Sequence, residues 1–270
     1  MKKLSENEFE SMTVSGKIAR MDEMLGRAWH GSILRREASY LPTLKSIEDT
    51  KIFQNHTDQT KLAWLCFEFL LQEEYLNSYV TFSMTENQLY QGQKWSVTRH
   101  IHHNAILQAV ITASRIQFEY FMNFIYFSLE GKELGVDSSG SKYNKFKEWV
   151  LSKGCMDDLF YLVPFLVACR EHDDWFRTAE VHKGSKLKKS LFMFEEPKNF
   201  YNGDITRLNR FLRGCLTGII SILNNQRPTT LQWAFSSKEQ EFDVDSWGDA
   251  YMEKDETKLN EFMELFKKRL

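Results

Sequence analysis

Proline and glycine are scarce, with 4 and 13 residues in a chain of 270. Glycine and proline punctuate turn-rich β architectures, so their shortage favours helices. The four cysteines, Cys66, Cys155, Cys169 and Cys215, form no C-x-x-C pair, and each sits in or beside an apolar stretch. That spacing predicts small buried hydrophobes in a reducing compartment. The N-terminal "MKKLSENEFE" has two lysines but no apolar run behind them, which argues against a signal peptide. The longest apolar run, "LFYLVPFLVAC" (Leu159 to Cys169), is too short to span a bilayer and holds Pro164. The expectation is a soluble cytoplasmic protein with no membrane contact. An excess of charge of one sign is also missing. The net charge is −2, from 35 basic and 37 acidic residues, so any nucleic-acid affinity must come from a local patch.

Several chemical signatures are absent too. There is no G-x-x-x-x-G-K-[ST] and no G-x-G-x-x-G, which disfavours a nucleotide-binding P-loop or a Rossmann domain. No G-x-S-x-G marks an α/β-hydrolase nucleophile. No H-E-x-x-H occurs, and no Glu-x-x-His of the kind a di-iron bundle needs. His100 and His103 in "RHIHHN" are i, i+3 and could share a metal, but lone histidines at a helix start are the plainer reading. The expectation is therefore no metal and no cofactor.

What is present is helical periodicity. The hydrophobic fraction is 42%, enough for one large core. "SGKIARMDEMLGRAW" reads as an amphipathic helix ending near Gly31. Asp58 can cap a long helix in which Leu62, Leu65, Cys66, Phe69, Leu70 and Leu76 recur at helical spacing. "TENQLYQGQKW" reads as a loop, and Ser96 to Leu129 as a second long helix, apolar on more than one face and so central. "GKELGVDSSGSKY" reads as a loop and is followed by a short helix at about 142–152. A third long helix runs from Asp157, with Pro164 either kinking it or marking its true start. Asp204 can cap a fourth, closed by Pro228, and "ETKLNEFMELFKKRL" reads as a final amphipathic helix. The fold expected is all-α, an up-and-down helical bundle at 58–226. An N-terminal helical extension covers 1–57, and a C-terminal one, packed on the bundle, covers 227–270.

The chemistry concentrates in "DDWFRTAEVHKGSKLKK", Asp173 to Lys189. Histidine moves protons near neutral pH, and the planar fork of arginine binds two phosphate oxygens at once. Together Arg177 and His182 suit metal-free phosphodiester cleavage, the histidine taking a ribose 2′-hydroxyl proton and the arginine holding charge on phosphorus. On one straight helix the two residues point about 140° apart. They converge only if the helix bends, if both lean into one groove, or if a second subunit completes the site.

The pattern Arg-x-x-x-x-His in "FRTAEVHKGSKL", placed before the last long helix of an α-bundle, resembles the signature of the HEPN superfamily (higher eukaryotes and prokaryotes nucleotide-binding). The resemblance implies a metal-independent endoribonuclease, with roles in toxin–antitoxin or phage-defence systems. It implies a homodimer with both subunits' Arg and His in one cleft, RNA as substrate, and an antitoxin or other protein as possible partner. Arg177 then binds the phosphate and steadies the transition state, and His182 transfers the proton. The alternative is a catalytically inactive HEPN-like module that binds nucleic acid or protein. The residue after the arginine, often Asn, His or Asp in the family, is Thr178, and Gly184 stands where nucleotidyl-modified members carry tyrosine. Lys183 and Lys186, with Thr178, are candidate substrate contacts, and Glu119 and Glu180 candidate supporting carboxylates. Glu119 lies in the most apolar helix and needs a cationic partner, either Arg115 at i−4 or Arg177 across the bundle.

Overall fold

A computed structural model describes residues 4–30, 44–89, 96–135, 141–174, 201–228, 231, 233–234 and 242–269. Its elements are α1 (Glu6–Glu10), α2 (Val14–His30), α3 (Leu44–Glu48), α4 (Lys51–Asn55), α5 (Gln59–Leu89), α6 (Val97–Glu130), α7 (Lys142–Ser152), a 3-10 turn (Asp158–Leu162), α8 (Val163–His172), α9 (Tyr201–Leu223), α10 (Val244–Glu253) and α11 (Glu256–Arg269). No strand occurs among the described residues, and the protein is an all-α helical bundle. No helix among them is long and apolar enough to cross a membrane.

Helix ends follow local chemistry. The Asp58 carboxylate accepts from the Lys61 amide at 2.9 Å at the start of α5, and the Ser96 hydroxyl accepts from the Arg99 amide at 3.2 Å at the start of α6. Gly131, at φ 67°, closes α6 in the left-handed conformation that glycine adopts without a Cβ clash. The Asp243 carboxylate caps α10 by accepting from the Asp245 and Ser246 amides, and hydrogen bonds from Ser246 hold it below the usual carboxylate range.

Three sequence expectations change, and an open one is decided. Helix α5 continues through Thr85–Leu89, which had read as loop, because no Gly or Pro occurs there to stop it. Of the two readings of Pro164 the structure takes the second, a true helix start: it sits in the first turn of α8, where its missing N–H is no loss, and the 3-10 turn precedes it. Asp204 lies inside α9, whose first residue is Tyr201; the helix penalty of Gly203 is only about 1 kcal/mol and is outweighed by the rest of α9. Helix α10 had no counterpart in the sequence reading, although Val244, Trp247, Ala250 and Tyr251 bury one face of it.

Helices α5 and α6 form an antiparallel hairpin. Phe69 meets Phe121 at 5.3 Å between ring centroids, and the Gln72 side-chain amide donates to the Ala113 carbonyl at 3.1 Å. Phe165 of α8 joins this stack, 4.7 Å from Phe121 and 6.0 Å from Phe146 of α7. One hydrophobic cluster runs from Ile18 of α2 to Phe266 of α11, so both terminal regions bury apolar side chains against the bundle.

All four cysteines are buried and free. Burial pushes the thiols of Cys66, Cys169 and Cys215 well above their ordinary range. A maleimide reacts with the thiolate, so at pH 8 the native protein is expected to leave these three unlabelled and to expose them only on unfolding. Peptide mass mapping reads this out, and native labelling of any of the three would contradict the packing.

Candidate functional site

Helix α8 changes character along its length. Apolar residues fill it up to Cys169, and then Arg170, Glu171, His172, Asp173 and Asp174 follow in succession. This charged end packs against α6. Glu171 and His172 are both 3% exposed. The His172 ring stands edge-on to Phe118 at 5.1 Å, and its Nδ1 is 3.9 Å from Asp173 Oδ1.

Asp173 is the hinge of the arrangement. Its Oδ1 lies 3.4 Å from Arg115 Nε, and Arg115 also reaches Glu119 at 3.8 Å within α6. Glu119 in turn lies 4.0 Å from Lys142 of α7. An ion-pair chain thus runs from α7 through α6 to the C-terminal end of α8. Asp174 pairs with Arg170 at 3.0 Å on the outer side.

Helix α9 makes a second set of polar contacts, with α5. Arg213 Nε donates to Glu73 Oε2 at 3.0 Å, with a second close contact from Nη2 to Oε1. Asn209 donates to Asn77 at 3.2 Å. Gln117 is fully buried on α6, at a level bracketed by the Phe69–Phe121 and Gln72–Ala113 contacts. Charges are costly to bury unless paired, so such contacts in a bundle core hold the helices in one register and offer polar groups where helices diverge.

The sequence candidates divide sharply. Arg177, Thr178, Glu180, His182, Lys183 and Lys186 lie outside the described residues, as do the side chains of His100 and His103. Glu119 is described, and of its two anticipated partners Arg115 is present; Lys142 is a further one that the sequence did not suggest. Glu73, Asn77, Gln117, Glu171, His172, Asn209 and Arg213 were not singled out. For two of them a signal existed. Glu73 falls in the apolar stripe of Leu62, Cys66 and Phe69, and Gln117 in that of Val110 and Phe121, so each is a polar residue at a core-facing phase.

Among the described residues no group of three or more His, Cys, Asp or Glu side chains could hold a metal ion. A separate cleft of about 540 Å³ lies between α2, the α3–α4 connection and the start of α5. Two of its acidic groups are engaged: Glu48 accepts from the Ser15 hydroxyl at 2.5 Å, and Asp22 accepts from the Leu44 amide at 2.9 Å. No family model, curated protein or solved structure matches the chain.

Proposed function

We propose that the protein is a metal-independent endoribonuclease of HEPN type, working as a homodimer in a toxin or phage-defence setting with an antitoxin or other protein as its regulator. The observation that carries this reading is where the Arg-x-x-x-x-His segment is tethered. It leaves from α8, whose last residues are tied to α6 through Asp173 and Arg115. It returns into α9, which is tied to α5 through Arg213–Glu73 and Asn209–Asn77. The two helices that flank the segment in the chain are thus each held to the bundle by polar contacts, which supports the reading because holding reactive groups in a fixed geometry is a large part of catalysis.

In this mechanism neutral His182 accepts the ribose 2′-hydroxyl proton, and the 2′-oxygen attacks phosphorus. Arg177 holds the extra negative charge on the phosphorane oxygens. The leaving 5′-oxygen takes a proton, and the products are a 2′,3′-cyclic phosphate and a 5′-hydroxyl. Lys183, Lys186 and Thr178 contribute phosphate contacts, and Glu180 and Glu119 support the two catalytic side chains.

The test is cleavage of single-stranded RNA in excess EDTA by wild type and His182→Ala. Loss of the general base is expected to lower the rate by about 100- to 10,000-fold. Equal rates for the two proteins would sink the assignment.

A further inference from the structure

The nuclease reading leaves unused the cleft between α2, the α3–α4 connection and the start of α5. Its volume of about 540 Å³ lies in the range of small-molecule sites. On α2, Ser15, Ile18, Ala19 and Asp22 recur at i, i+3, i+4 and i+7, so one face of that helix forms a wall. Ile18, and Phe53 of α4, are buried and give the cleft an apolar floor. Three carboxylates, Asp22, Glu48 and Asp49, also line it, and no Lys, Arg or His is among its described lining residues. A concave site lined by charge of one sign concentrates the opposite sign, here a cation.

Two of the carboxylates are held apart. The Ser15 hydroxyl fixes Glu48 at one end of the α2 wall, and the Leu44 amide fixes Asp22 at the other. Helix α2 rises about 10 Å from Ser15 to Asp22, and α3 about 6 Å from Leu44 to Glu48, so the two charges sit about 6–10 Å apart. That spacing suits two separate cationic groups rather than one ion, and among the described residues no three His, Cys, Asp or Glu side chains converge for a metal. We propose that the cleft binds a linear aliphatic polyamine. An extended four-carbon diamine sets its ammonium groups about 6 Å apart, and a hydrogen bond of about 2.8 Å at each end lets it reach both Glu48 and Asp22. Its alkyl chain lies on Val14, Ile18 and Phe53, and a further ammonium extends toward Asp49 at the rim. The carboxylates are already oriented by Ser15 and Leu44, so little side-chain freedom is lost on binding. Binding is the readout, so this proposal stands or falls apart from RNA cleavage.

Isothermal titration calorimetry of the full chain with spermidine, at neutral pH and low salt, is expected to show saturable binding. The Kd should be about 100 μM, the scale a flexible ligand of about ten non-hydrogen atoms reaches. Glu48→Gln keeps an oxygen for the Ser15 hydroxyl but removes the charge, and is expected to weaken binding about 10- to 100-fold. Ala19 is exposed on the cleft wall, so Ala19→Trp plugs the cleft without entering the core. It is expected to abolish binding with unchanged far-UV circular dichroism. Glu253→Gln, which removes an exposed carboxylate on α10, should leave the Kd unchanged. Equimolar magnesium chloride supplies a cation with no alkyl chain and should not displace spermidine. A wild type with no saturable binding overturns the proposal. Binding that survives both Glu48→Gln and Ala19→Trp overturns the cleft as its place, and displacement by magnesium overturns a polyamine as its ligand.

Discussion

Gly218→Ala is expected to destabilise the protein by about 3 kcal/mol, the upper end for overpacking a close-packed core. For a domain of this size that lowers Tm by about 6–12 °C. Gly218 is buried on α9, and a Cβ there would penetrate the phenol end of Tyr161. A flexible side chain could swing aside, but Tyr161 cannot. It is 2% exposed, its ring lies 5.9 Å from Trp247 and 5.5 Å from Tyr251, and the last two stack on each other at 5.2 Å. Tyr251 is itself anchored, its hydroxyl donating to the Asp158 carbonyl at 3.2 Å. The added methyl must therefore push α9 away from the 3-10 turn. Tyr161→Leu should relieve the clash, so the double variant should lose less than the sum of the singles. Thermal unfolding followed by circular dichroism measures all three, and an unchanged Tm for Gly218→Ala would show that α9 does not sit this close to Tyr161.

Arg213→Met is expected to cost about 3–5 kcal/mol, because it leaves the Glu73 carboxylate buried without its cation. The Glu73 side chain is only 3% exposed, so water cannot take over the role of the guanidinium. Adding Glu73→Leu removes the stranded charge and replaces it with a side chain suited to the surrounding Cys66 and Phe69. The double variant is expected to recover most of the loss, since replacing both members of a buried pair is often neutral. Urea unfolding resolves the difference. A cost for Arg213→Met below about 1 kcal/mol, the level of an exposed pair, would mean that solvent reaches Glu73 and that the pair is not sealed. Both variants also bear on the proposed function, since α9 is the next described helix after Arg177 and His182 in the chain.

Much of the fold was legible in the residue pattern because helix formation is a local property. Asp58, Ser96 and Gly131 marked helix ends by side-chain and backbone chemistry that acts within one turn. The aromatic excess near the end of α6 announced a central helix, and Phe118, Phe121 and Met122 are indeed fully buried. The misreadings came from local ambiguity. A run without Gly or Pro can be loop or helix until packing decides, as at Thr85–Leu89. Pro164 is no misreading: the sequence leaves a kink and a helix start open, and the structure decides for the start.

The candidate site divides along the same line. Spacing and residue type were enough to nominate Arg177 and His182 and to ask for a cation beside Glu119. They left the choice between Arg115 and Arg177 open, because a residue four positions away and one across the bundle meet the same electrostatic need. Arg115 makes contact within α6, and its Nε also lies 3.4 Å from Asp173, a residue far from it in the chain. The Glu73–Arg213 pair joins residues 140 positions apart, and Asn77–Asn209 residues 132 apart. Sequence periodicity tells which way a side chain faces on its own helix. Only the docking of one helix on another sets what it meets there, since that depends on crossing angle and register summed over the whole core.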